Sequence, residues 1–80
     1  MKALVYSKNL CGFCNMAKNL LKMKNVEYEE KNIEEDIEAR KELFEKAEKI
    51  NVTPRTAPQI WLDDKYIGGF NELKAYFDNA

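Results

Sequence analysis

The sequence predicts a small α/β domain whose elements run β-α-β-α-β-β-α. Three observations carry this. Short apolar runs of strand length, at residues 2–7 and 59–62, are separated by two segments whose apolar residues recur at helical spacing. Gln59 to Ile67 reads as a hairpin around an acidic turn. Gly68-Gly69 then punctuates the chain before a last amphipathic stretch.

The first strand is expected at 2–7, with apolar residues on both faces as in a strand covered from both sides. A helix is expected over 12–24: Ala17, Leu20 and Leu21 fall at i, i+3, i+4, while Lys18, Lys22 and Lys24 stay in water. Val26-Glu27-Tyr28-Glu29 alternates with period two, the pattern of a half-exposed edge strand. Asn32, with Glu35 three positions on, is expected to cap a second helix over about 34–50. Ile37, Phe44, Ala47 and Ile50 would form its inner stripe, and its dense charge reads as a solvated face. Residues 51–57 break the pattern. Gln59-Ile60-Trp61-Leu62 is a strand, Asp63-Asp64-Lys65 a turn and Tyr66-Ile67 the returning strand. A final helix is expected over 71–78, capped by Asn71 and packed by Phe70, Leu73, Tyr76 and Phe77. The helix between the first two strands makes them parallel with a right-handed crossover, and the last two form an antiparallel pair.

Eighty residues make one domain, 1–80, with 45% hydrophobic residues for a single modest core. Thirteen basic and 14 acidic residues leave a formal charge of −1, which gives no global attraction to nucleic acid or an anionic membrane. Neither is expected as a partner. Histidine is absent, so imidazole catalysis and imidazole metal ligation are excluded. No signal-peptide pattern and no membrane-length apolar run is visible. A reducing, cytoplasmic setting is the expectation.

In that setting the two cysteines, in Cys11-Gly12-Phe13-Cys14, point to redox or metal chemistry more than to a structural bridge. The chain-entropy model assigns roughly 2 kcal/mol to a four-residue loop, a poor return for a staple. Two cysteines do not complete a four-ligand metal site, and no metal is expected. The pair sits between the first strand and the first helix, where the helix N-terminus favours a thiolate. If Cys11 is the N-cap, the amides of Phe13 and Cys14 face its sulfur, and Lys8 adds positive charge just upstream.

Three blocks together extend this reading: Tyr6-Ser7-Lys8 leading to the cysteines, Arg55-Thr56-Ala57-Pro58-Gln59-Ile60, and Ile67-Gly68-Gly69-Phe70. In order and spacing the chain resembles a glutaredoxin, of thioredoxin-like fold, from end to end. The resemblance implies a four-stranded mixed sheet of order 2-1-3-4, with helices 1 and 3 on one face and helix 2 on the other. It implies a dithiol thiol–disulfide oxidoreductase that uses glutathione as reductant and holds no tightly bound cofactor. Cys11 would be the nucleophile, at the exposed mouth of the helix, and Cys14 the resolving thiol. Partners would be glutathione and disulfide-bearing or glutathionylated proteins, ribonucleotide reductase among them, and the protein would act as a monomer.

The same resemblance makes Pro58 a cis-proline that turns Ala57 toward Cys11, within the Thr56-Ala57-Pro58 block of the glutathione site. Phe13 would face substrate, against the plainer reading of an exposed ring at a helix start. Lys8 would hold the glycyl carboxylate of glutathione, with Arg40 or Arg55 assisting. Gly69, Phe70, Asn71 and Glu72 would receive the γ-glutamyl end on free helix amides, although Gly68-Gly69 and Asn71 also suit a plain turn and cap. Gly12, in place of the family's usual proline, and Asn71-Glu72 depart from the pattern. They keep open a thioredoxin-like electron donor recycled by a flavin reductase. A cluster carrier is a third, minor reading.

Overall fold

The computed structural model describes residues 1–79. Seven elements follow the expected order: β1 (Lys2–Ser7), α1 (Gly12–Met23), β2 (Glu27–Asn32), α2 (Ile37–Lys49), β3 (Gln59–Leu62), β4 (Lys65–Gly68) and α3 (Phe70–Asp78). They build a four-stranded mixed sheet of order β2-β1-β3-β4. β1 runs parallel to β2 and antiparallel to β3, and β3 runs antiparallel to β4. This is the thioredoxin-like topology that the resemblance implied.

Strand alternation sorts the core into two layers. Ala3 and Val5 of β1 join Ile60 and Leu62 of β3 under Ala17 and Leu21 of α1 and Leu73 of α3. Tyr6 and Trp61 point to the other face and pack with Leu43 of α2. Helices α1 and α3 therefore share one side of the sheet, and α2 covers the opposite side.

Local signals located the elements, but tertiary partners moved several details. β2 runs three residues past the Val26–Glu29 stretch expected, because Glu30, Lys31 and Asn32 continue the pairing with Val5, Tyr6 and Ser7. The side chains of these three residues are polar and are held by hydrogen bonds and ion pairs, so hydrophobicity did not mark them. Glu30 accepts from Ser7 Oγ at 2.8 Å and from Lys18 Nζ at 2.9 Å. Partial burial alone would raise the Glu30 carboxyl pKa, yet those two donors outweigh it and hold the group below the usual carboxylate range.

The second helix is capped by Asp36, whose carboxylate accepts from the amides of Glu38 and Ala39. Asn32 instead closes the preceding turn by accepting from Glu34 and Glu35. The inner stripe of α2 is Ala39, Leu43 and Ala47, whereas Ile37, Phe44 and Ile50 lie at the surface. Of the expected stripe only Ala47 is buried. The reason is steric: Tyr6 and Trp61 project from the sheet beneath α2, so the helix meets them with small residues on either side of one leucine. The hairpin turns on two residues, Asp63 and Asp64, both at positive φ, the geometry a two-residue hairpin loop requires. Lys65 is already in β4, opposite Leu62.

Beneath α2, Glu42 accepts from the Tyr6 hydroxyl and takes both of its oxygens to Lys31 Nζ at 2.9 Å. These donors hold the Glu42 carboxyl below its ordinary range. Burial, reinforced by the Glu42 carboxylate, pushes the Tyr6 phenol up, beyond the usual tyrosine range. A carboxylate depressed in the native state stabilises fully above its unfolded pKa, and that contribution is lost as pH falls through the native value. Glu42→Gln is therefore expected to be less stable near neutrality and to lose less stability on acidification below about pH 5. Urea unfolding of both proteins across that range checks this. Equal acid losses would remove Glu42 from the account.

Candidate functional site

The chain leaves β1 at Ser7, crosses the loop 8–10 and enters α1 through Cys11. The loop is tied down by Asn9. Its amide donates to Glu34 at 2.6 Å, and its side chain donates to Glu35 and accepts from Asn32. Leu10 takes a positive φ of 51° and is fully exposed. Cys11 is the N-cap, at φ −115° and ψ 102°, and its Sγ accepts from the Cys14 amide at 3.1 Å. The two cysteines are joined as a disulfide with Cα atoms 5.2 Å apart. Cys11 is more covered than the exposed mouth expected from sequence, at 9% exposure against 1% for Cys14. The covering group is the loop before β3: the Ala57 carbonyl lies 3.7 Å from Cys11 Sγ. In the disulfide that sulfur carries no proton, so this is a packing contact.

Ala57-Pro58 is a cis peptide bond, and Pro58 is fully buried at the entry to β3. A short polar chain holds this segment in place. Gln59 Nε2 donates to the Thr56 carbonyl at 2.8 Å, and the Tyr66 hydroxyl donates to Gln59 Oε1 at 2.7 Å. Burial, with a smaller contribution from the Glu72 charge, raises the Tyr66 pKa and keeps it a proton donor. Sequence reasoning missed Gln59 and Tyr66 as positioning residues, and Asn9 likewise. A glutamine inside an otherwise apolar strand was the available signal, since a buried amide needs a partner.

The α3 N-terminus completes the site. Its N-cap is Gly69, not Asn71 as expected, and the helix begins one residue earlier, at Phe70. The Glu72 carboxylate turns back to accept from the Gly69 amide at 2.8 Å, the returning half of a capping box. Gly68 sits at φ +121°, where a Cβ would come within 2.9 Å of the Glu72 side chain, so only glycine fits. Among the described residues no side chain caps the first amides of α3.

These pieces enclose a cleft of about 210 Å³ lined by Phe13, Thr56, Ala57, Pro58, Gly69, Phe70, Asn71 and Glu72. Apart from the cysteines, Lys8 and its expected helpers Arg40 and Arg55, every residue expected at the site meets in this one cleft. The Phe13 and Phe70 rings stand 6.2 Å apart across it. A second cleft, of about 240 Å³, lies beyond Thr56 and Ala57, which line both. Lys8, Arg40 and Arg55 bring positive charge to it, and among the described residues none of the three forms an ion pair.

Gly12 occupies the first turn of α1 with open space where a Cβ would stand. The extended backbone of Cys11 is the conformation a following proline demands, and the first helical position tolerates the lost N–H. Gly12→Pro is expected to raise stability by about 0.4–1 kcal/mol through the unfolded chain. Chemical denaturation of the oxidised protein tests it, and a fall in stability would show that the Gly12 N–H or φ is needed.

A cysteine pair at a helix N-terminus, one sulfur covered by a peptide carbonyl and the other inside the first turn, is built for thiolate attack and resolution. On this sheet topology it defines a thiol–disulfide oxidoreductase of the thioredoxin-like class. Comparison with known proteins narrows the class. The family described as Glutaredoxin matches residues 3–67. The chain is 39% identical over 74 residues to a probable glutaredoxin of Synechocystis, covering 92% of this chain and 80% of that one. It superposes on glutaredoxin 1 of Francisella tularensis, solved with cacodylate, at TM-score 0.76 and 34% identity over 98% of this chain and 93% of that one. Buckwheat glutaredoxin, solved as its glutathione complex, shares the fold at TM-score 0.77 and 22% identity, over 96% and 69% of the two chains. The protein belongs to the glutaredoxin family and is a thiol–disulfide oxidoreductase.

Proposed function

We propose that this is a dithiol glutaredoxin that takes its electrons from glutathione, with Cys11 as nucleophile and Cys14 as resolving thiol. The carrying observation is the pair of clefts that adjoin at Ala57, beside Cys11. One is cationic, through Lys8, Arg40 and Arg55, and the other ends on the uncapped amides of α3. Glutathione has a carboxylate at each end and a cysteine between them. Its glycyl carboxylate suits the cations and its γ-glutamyl carboxylate the helix N-terminus. The Ala57 backbone offers peptide hydrogen bonds between the two, as a strand edge would. Buckwheat glutaredoxin, a protein of the same fold, was solved as its glutathione complex, which supports glutathione as the ligand.

With a glutathionylated thiol, the Cys11 thiolate attacks the glutathione sulfur. The substrate leaves as its thiolate, and Cys11 is left joined to glutathione. A second glutathione thiolate then takes that sulfur, giving glutathione disulfide and free Cys11. With a protein disulfide, Cys11 forms a mixed disulfide with the protein. Cys14 then attacks Cys11 Sγ and releases the reduced protein, closing the bond seen here. We extend the proposal to a cytoplasmic monomer whose protein substrates include ribonucleotide reductase. A coupled assay decides the reductant. Rapid turnover with glutathione and glutathione reductase is expected. Turnover with thioredoxin reductase alone would make the protein a thioredoxin-like donor instead.

A further inference from the structure

We propose that the redox groove continues past the footprint of glutathione onto an apolar shelf. On this shelf the protein would take the stretch of a polypeptide substrate that follows the reactive cysteine, favouring an acidic residue and then an apolar one. The inference rests on the glutathione orientation proposed above, which sends the C-terminal side of the bound cysteine toward Lys8.

The shelf is a third recess, lined by Phe44, Glu48, Asn51, Val52, Thr53 and Pro54. Phe44 and Pro54 also line the cationic cleft, so the recesses adjoin. From the α3 end the surface runs through Ala57 and the cations to the shelf without a break in shared lining residues. A tripeptide ends at the cations. The loop at residues 51–54 forms the outer wall, and the Val52 amide anchors it to the Ala47 carbonyl at 2.9 Å. Phe44 is 41% exposed despite its position on a helix that covers the sheet, and the Arg40 guanidinium lies 5.2 Å from its ring centroid. An acidic side chain beyond the cysteine would meet Lys8, Arg40 and Arg55. The next apolar side chain would then reach Phe44, Val52 and Pro54. Continuity with the redox centre and the unpaired cations both point to a disulfide-bearing polypeptide as the occupant.

The test is an exchange equilibrium on Cys14→Ser protein carrying glutathione on Cys11. A peptide thiol attacks the Cys11 sulfur, forms the peptide mixed disulfide and releases glutathione, and mass spectrometry reads the ratio. Two capped peptides are compared: cysteine, aspartate, alanine and leucine in that order, and the same peptide ending in serine. The leucine peptide is expected to be favoured about fivefold, as for partial burial of a leucine side chain. Phe44→Ala, and separately Thr53→Asp at an exposed wall position, should each erase most of that advantage. Thr53→Asp should leave the glutathione adduct as stable as before. Equal occupancy by the two peptides would overturn the inference while leaving the glutathione reading intact. So would a leucine advantage that survives both variants, which would place the contact elsewhere, such as the exposed Leu10 and Met16. If glutathione itself binds no better than a capped cysteine lacking a carboxylate, the orientation fails and the inference with it.

Discussion

Cys11→Ser is expected to reduce all disulfide exchange to the uncatalysed background. Cys14→Ser is expected to abolish reduction of protein disulfides while keeping turnover of glutathione mixed disulfides within a few-fold. The asymmetry follows from where α1 puts the two sulfurs. Cys11 caps the helix, its Sγ receives the Cys14 amide at 3.1 Å, and it is the more accessible of the pair. Hydrogen bonding and the helix dipole both favour the ionised form, and attack needs access as well as ionisation. Cys14 is one turn in and almost fully buried, suited to an attack within the molecule. Once Cys11 carries glutathione, a second glutathione can do Cys14's work, but a bulky protein mixed disulfide needs the neighbouring thiol. Ultraviolet titration of reduced protein should place the Cys11 pKa well below the value of about 8.5 for a free thiol. A value near 8.5, or equal loss of both activities in Cys14→Ser, would defeat the assignment of roles.

Leu21→Ala should destabilise the protein by about 2–5 kcal/mol. An 80-residue domain has about 4–12 kcal/mol in total, so this is a large share of the whole. Leu21 is fully buried between α1 and the sheet, in the layer formed by Val5, Ile60 and Leu73. The cavity would open beneath the helix that carries both cysteines, so exchange activity should fall at temperatures where the variant is still largely folded. Urea unfolding should show a lower midpoint at an unchanged slope. A midpoint shift worth less than about 1 kcal/mol would mean that the layer closes over the gap.

The parts of the fold that follow from neighbouring residues were legible in advance. α1 combines a clean apolar stripe with a cysteine N-cap, and both signals lie within one turn of each other. β3 is an apolar run flanked by a loop and an acidic turn. The parts that depend on distant partners were not. β2 hides its last three residues because Glu30 reaches Ser7 and Lys18, and Lys31 reaches Glu42 on α2, partners no local pattern names. The inner face of α2 was misassigned to Ile37, Phe44 and Ile50, since what decides it is the bulk of Tyr6 and Trp61 on the sheet. The start of α3 moved by one residue because Glu72 reaches back to Gly69, which takes over the cap expected of Asn71. At the site, the motif blocks named the cleft residues, but not Gln59, Tyr66 or Asn9, whose hydrogen bonds hold those blocks in place.

The amino-acid order alone dictated the succession of the elements, the parallel crossover between the first two strands and the placing of the Cys11-Cys14 pair at a helix start, and the resemblance of its motif blocks implied the order of the sheet. Element type, crossover direction and a thiol at a helix start are set by residues a few positions apart. How covered Cys11 is, and how far the groove extends, was decided by the tertiary structure. The Ala57 carbonyl over the sulfur and the Phe44 and Pro54 shelf beyond the cations come from segments more than thirty positions away from Cys11. They come together only because the two faces of the sheet are buried at once.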